Sequence, residues 1–137
     1  MLPTFLLDEG IRHEDGVSAA LELSSQPSRV LLLTLGITRI IEQESLDLWI
    51  CGSEDGVTWS DKPLLAFPQK FYCGAYAMVL DLTAESSIRH IRAHWKMNRW
   101  GRGEPSALFT FYLVAEVAQL RPLAAAAGQI PASTPAG

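Results

Sequence analysis

Ile88-Arg89-His90-Ile91-Arg92-Ala93-His94-Trp95-Lys96-Met97 is the stretch on which the fold turns. Wound as a helix, it would bring His90 and His94 onto one face, one turn apart, as in a metal-binding pair. Extended, at about 3.3 Å per residue, the same rings lie about 13 Å apart. That is too far for one zinc, which sits about 2 Å from each ligand. The companion residues favour the strand. Ile91, Ala93, Trp95 and Met97 form an inward apolar set, and His90, Arg92, His94 and Lys96 an outward basic set. The plain reading of the outward set is a solvated basic face. The sharper reading is a stripe for an acidic partner. No metal is expected.

The same twofold rhythm extends along the chain in both directions. Val17, Ala19, Leu21 and Leu23 alternate with Ser18, Ala20 and Glu22. Residues 30–43 are aliphatic and β-branched, with Gly36 in the middle, so two strands or one bent strand are expected. Leu46, Leu48 and Ile50 alternate with Asp47, Trp49 and Cys51, and Ser53-Glu54-Asp55-Gly56 then turns the chain. Residues 63–67 read as a short edge strand opened by Pro63 and closed by Pro68. Tyr76, Met78, Leu80 and Leu82 share a face, and residues 107–116 are rich in Phe, Tyr, Leu and Val. Strand-like runs at such intervals, with no convincing helix between them, predict an all-β antiparallel sandwich of jelly-roll or galactose-binding-like type. We expect an irregular N-terminal arm, with room for one short strand, over residues 1–16 and one domain over 17–118. A flexible Ala/Pro-rich tail is expected over 119–137, with a helix conceivable near 117–127 but cut by Pro122.

Bulk properties narrow the functions. The chain has 137 residues, 48% of them hydrophobic and 19% charged. That suffices for one core without a disulfide or metal, and the charge is below the roughly 25% of an average domain. The net charge of −4 disfavours nucleic-acid binding by bulk electrostatics. No apolar run is long enough for a membrane span, and residues 1–10 lack the basic start of a signal peptide. A cytoplasmic location is expected, although a mature secreted chain would read the same. Cys51 and Cys73 are then buried free thiols, or a bridge if the chain is exported. Several strands are apolar on both faces: Phe109, Phe111 and Leu113 oppose Leu108, Tyr112 and Val114. Such strands are either covered on both sides or meet another subunit, so association of copies is expected.

The segment Ser53-Glu54-Asp55-Gly56-Val57-Thr58-Trp59 resembles the S-x-D-G-x-x-W element of discoidin-type, galactose-binding-like sandwiches. Residues 32–36 followed by 37–41 are similar to that family's core strands. Ile88-Arg89-His90-Ile91-Arg92 is similar to its R-y-i-R strand, and residues 108–114 would close the sandwich. The resemblance spans about residues 30–116 and implies the fold, with no ligand carried over. It departs from the family in its two internal cysteines and in Thr34-Leu35-Gly36, where the family has an acidic residue first. Within the turn, Asp55-Gly56 closes the bend, Ser53 can cap it, and Trp59 is expected to pack back on the sheet.

Candidate chemistry concentrates in loops. Arg99, Trp100 and Arg102 form a Trp-between-arginines loop with glycines for backbone freedom. Trp100 is either an end plug of the core or a face for a sugar or protein. Residues 67–76 hold four aromatics, among them Tyr72 and Tyr76. They are either a crossing that fills the ends of the core or half of a platform completed by Trp59 or Trp100. The acids Glu42, Glu44, Asp47, Glu54 and Asp55 sit at turns, where solvated carboxylates are ordinary. No nucleophile elbow, phosphate loop, H-E-x-x-H or CxxC is present. The sequence therefore reads as a non-catalytic module without cofactor that contacts a glycan or protein surface through Trp59, Arg99, Trp100, Arg102, Tyr72 and Tyr76. The alternative is a self-assembling structural subunit of a coat, filament or larger complex.

Overall fold

The computed structural model describes residues 2–23, 28–103 and 106–118. Among these residues nine strands run in chain order: β1 (Thr4–Arg12), β2 (Gly16–Val17), β3 (Leu21–Glu22), β4 (Val30–Ile40), β5 (Glu44–Ser53), β6 (Leu65–Ala66), β7 (Gly74–Asp81), β8 (His90–Arg99) and β9 (Phe109–Val117). They form two antiparallel sheets, one ordered β1-β9-β4-β7 and the other β2-β8-β5-β6, with β3 also on β8. The fold is therefore the expected antiparallel β-sandwich. Its core lies between the sheets, where Leu31, Leu33, Leu35, Phe109, Phe111 and Leu113 of one face Leu46, Leu48, Ile50, Ile91 and Ala93 of the other. Residues two apart share a face, so each strand offers the core every second side chain.

β8 settles the opening question. It is a ten-residue strand, and Ile91, Ala93 and Trp95 are its buried set. Its outward face is less solvated than expected. His94 stacks on Trp49 at 5.6 Å, and the Arg92 guanidinium lies 4.2 Å from the centre of the Trp59 ring. Arg92 Nε also donates to His94 Nε2 at 3.2 Å. Lys96 is the member of the set that stays exposed.

The expected N-terminal arm is instead drawn into the sandwich. Thr4–Arg12 pairs with β9 along its whole length, with register shifts between Phe5 and Leu7 and between Leu7 and Gly10. The shifts hide the strand from a periodicity reading, since Leu6 and Leu7 are both buried while Asp8 and Glu9 are both exposed. The alternation expected from Val17 to Leu23 is broken as well. Val17 pairs with His94, but Leu21 pairs with Ile91, so three intervening residues on one side stand against two on the other. Buried Ser18 fills the gap: its N–H donates to the Ala93 carbonyl and its Oγ accepts the Ala93 N–H, both at 2.8 Å. Val17 is thereby turned outward and is 50% exposed.

β4 is one strand, and its irregularity falls between Ile37 and Arg39 rather than at Gly36. Gly36 serves a close approach: a Cβ there would fall inside the Tyr112 ring, which lies across the strand. The end of the core near β1 is plugged by Arg12, whose guanidinium sits 4.7 Å from the Phe111 ring centre and 5.3 Å from that of Trp95. The helix conceivable near 117–127 and the tail over 119–137 lie outside the described residues, except that Val117 ends β9 and Ala118 N–H donates to the Val30 carbonyl.

Candidate functional site: an aromatic cleft at one end of the sandwich

Glu44 opens β5 and pairs with Arg99, the last residue of β8. The turn before β5 and the loop after β8 therefore leave the sheet side by side. Gln43 takes a left-handed conformation (φ 64°), and its carbonyl accepts the N–H of Trp100 at 2.9 Å and of Gly101 at 3.3 Å. On the other side, the Arg99 guanidinium donates to the carbonyls of Arg102 (2.9 Å) and Gly103 (3.0 Å). Arg99 thus braces the loop. The backbone beneath Trp100 is pinned from both flanks, and its indole is 56% exposed. The end-plug reading of Trp100 is overturned.

The crossing from β6 to β7 arrives at the same end. Leu46 and Lys70 exchange both main-chain hydrogen bonds at 2.9 Å, which fixes the aromatic run against β5. Phe71 then meets Trp100 edge-on at 6.2 Å, and Tyr72 lies beside Phe71 at 6.3 Å. Phe71 is 40% exposed and Tyr72 73%. Tyr76 plays a different part. Its hydroxyl donates to the Tyr72 and Cys73 carbonyls (3.0 and 3.2 Å), and Lys70 Nζ sits 3.9 Å from the centre of its ring. It holds the crossing in place.

Ile40, Glu42, Gln43, Glu44, Phe71, Tyr72 and Trp100 enclose a cleft of about 370 Å³. Its floor is set by Glu44, which is 1% exposed. The expectation of a solvated acid fails here: Oε1 accepts the Leu108 N–H at 2.8 Å and Oε2 the Ile41 N–H at 2.9 Å. Two chain segments far apart in sequence are joined through one carboxylate. Exposed Glu42 and Gln43 supply the polar rim, and among the described residues no cationic side chain lines the cleft. Arg102 is exposed on the adjoining loop.

Trp59 belongs to the other end. The turn before it is built as the sequence suggested. Ser53 Oγ accepts the Gly56 N–H at 2.8 Å and donates to the Thr58 carbonyl at 2.6 Å; Gly56 has φ 80°. Asp55 Oδ1 accepts the N–H of Thr58 (2.9 Å) and Val57 (2.8 Å). These two bonds, that from Thr58 first, hold the Asp55 carboxyl below its usual pKa range. Trp59 covers Arg92, seven residues before Arg99 on β8, so the two ends are about 23 Å apart at about 3.3 Å per residue. Trp59 and Trp100 cannot form one platform.

Of the six residues singled out in the sequence, the structure brings Trp100 and Tyr72 together and puts Arg102 nearby. It gives Arg99 and Tyr76 supporting work and separates Trp59. Phe71 and Gln43 were missed as site residues. Phe71 was visible as part of an aromatic run, but its contact with Trp100 depends on the crossing. Cys51 is buried and Cys73 exposed, and both are free; burial, above all, pushes the Cys51 thiol pKa up. Among the described residues no cluster of three His, Cys, Asp or Glu is arranged to hold a metal ion, and no helix is long and apolar enough to cross a membrane. Comparison with protein-family models, curated proteins and solved structures returned no match.

Proposed function

We propose that the chain is a non-catalytic binding module whose ligand is a neutral glycan held at the Trp100 cleft. The carrying observation is the run of three exposed rings, Trp100, Phe71 and Tyr72, meeting at a concave site rimmed by a carboxylate and an amide. Exposed aromatic side chains gathered in one patch are unusual on a monomer and typical of a contact site. A pyranose offers an apolar C–H face for an indole or phenol and hydroxyls for Glu42 and Gln43. The lack of a lining cation among the described residues argues against acidic sugars and phosphates, which call for Arg or Lys. The discoidin-type turn at Ser53–Trp59 lies at the far end, so this reading rests on the cleft and not on that resemblance.

The test is calorimetric titration of the whole chain with a panel of neutral oligosaccharides, followed by Trp fluorescence. Trp100→Ala is expected to weaken binding at least about tenfold, or about 1.4 kcal/mol, with little change in melting. Trp59→Ala should leave affinity unchanged. Absence of binding across the panel, or full affinity in Trp100→Ala, would overturn the proposal.

A further inference from the structure

The two sheets have four edges, and three of them carry features that discourage further pairing. β1 is kinked by two register shifts and carries Asp8 and Glu9. β2 and β3 are two residues each. β6 is two residues long and is flanked by Pro63 and Pro68. Short strands, bulges, charges and prolines are the usual protections of a sheet edge. β7 has none of them. It is eight residues, Gly-Ala-Tyr-Ala-Met-Val-Leu-Asp, pairs with β4 without a register shift, and bears one charge, at its last position.

Which of its main-chain groups have no strand partner among the described residues follows from two hydrogen bonds. The Leu82 N–H donates to the Arg29 carbonyl at 2.7 Å, continuing the β4–β7 register past Val30↔Asp81. On the other side of β4, Ala118 N–H donates to the Val30 carbonyl at 3.1 Å. In an antiparallel ladder, hydrogen-bonded pairs alternate with non-bonded ones. Even-numbered residues of β7 are therefore bonded to β4, and Ala75, Ala77 and Val79 direct their N–H and C=O groups outward from the sheet. All three side chains are exposed.

We infer that the free edge of β7 is a strand-addition site and that its occupant is a second copy of this chain, joined β7 to β7 in antiparallel fashion. The strand is self-complementary about Ala77. In that register Ala77 faces the partner's Ala77, and Ala75 faces the partner's Val79. About six main-chain hydrogen bonds form, two for each bonded pair. Asp81 then falls opposite the partner's Cys73, so no like charges meet; a parallel pairing in register would set aspartate against aspartate. The small side chains at the bonded positions leave room for the second strand. Tyr76 and Met78, half-buried because β7 has a neighbour on one side only, gain cover across the axis. The two four-stranded sheets become one of eight strands with an isologous interface. This inference does not depend on the glycan reading.

The experiment is sedimentation velocity on the full chain through the micromolar range, with amide hydrogen exchange by NMR. A dimer is expected, with the Ala75, Ala77 and Val79 amides slowing as concentration rises. Ala77→Pro removes the two N–H donors nearest the axis, yet costs the monomer no β4 bond, and should give a folded monomer. Ala77→Lys sets two ammonium groups against each other and should do the same; it also decides the matter if the proline variant fails to fold. Phe5→Ser, on the far edge of the same sheet, should leave the dimer intact. A wild-type chain that stays monomeric would overturn the inference. So would a dimer that survives Ala77→Lys or dissolves with Phe5→Ser, or a monomer whose β7 edge takes up only an unrelated extended peptide.

Discussion

Replacing Glu44 by alanine tests the join beneath the cleft. The carboxylate is 1% exposed and accepts two main-chain N–H groups, from Ile41 at 2.9 Å and Leu108 at 2.8 Å. Hydrogen bonds to a charged acceptor contribute about 1.5–3 kcal/mol each, and a buried donor left without a partner costs about 1–3 kcal/mol. Alanine orphans both donors but leaves a gap that water can enter at the cleft, which moderates the loss. About 3 kcal/mol is expected, a large part of the roughly 5–15 kcal/mol that holds a domain together. With a urea slope of about 1.5 kcal/mol/M, the unfolding midpoint should fall by about 2 M. Glu44→Gln keeps one acceptor and turns an NH2 toward the other amide, so its midpoint should lie between alanine and wild type. The matching change in function is loosened packing of residues 40–43 and 106–108 around the cleft. A Glu44→Gln midpoint equal to wild type would refute the two-acceptor account. An alanine midpoint within about 0.3 M of wild type, or about 0.5 kcal/mol at that slope, would refute the join altogether.

Three further outcomes are expected. Gly36→Val drives a branched side chain into the Tyr112 ring and disturbs its edge contact with Phe5 at 6.0 Å; a loss of about 1–3 kcal/mol in urea unfolding is expected, and unchanged stability would contradict the close approach. The His94 pKa lies below the ordinary histidine value of 6.5, chiefly through burial and then through Arg92. The unfolded chain therefore takes up the proton first, and stability should fall as pH drops from about 6.5 toward the lower folded value; thermal melts of His94→Phe should lack that slope, and an identical slope would exclude His94 as its source. In the folded chain a thiol reagent should modify exposed Cys73 quickly and buried Cys51 only on unfolding, which mass spectrometry of the labelled protein would check.

The sandwich was legible wherever the twofold rhythm is unbroken. Residues 46–51, 76–81 and 90–97 each show it, and each lies in a strand with the expected side turned to the core; residues 109–114, apolar on both faces, lie in a strand whose inward set, Phe109, Phe111 and Leu113, only the structure selects. Reading failed where an irregularity shifts the phase, because one extra residue sends every later side chain to the opposite face. Residues 5–10 and 17–21 are both of this kind. The site divides in the same way. Trp100 and Tyr72 could be picked out because large aromatics in glycine-rich or crossing segments are seldom free of a role. That Trp59 lies at the opposite end could not, since its position depends on which way β5 and β8 run between the two turns.

The chain by itself determined its class, the strands whose alternation is unbroken and the turn at Ser53–Gly56, because alternation and local side-chain capping are properties of neighbours in sequence. Only the tertiary structure decided that Phe71 meets Trp100, that Glu44 is a buried tie and not a solvated acid, and that Arg99 braces its own loop. Those outcomes rest on contacts between segments tens of residues apart. Strand order and register set such contacts, and composition and periodicity do not encode them.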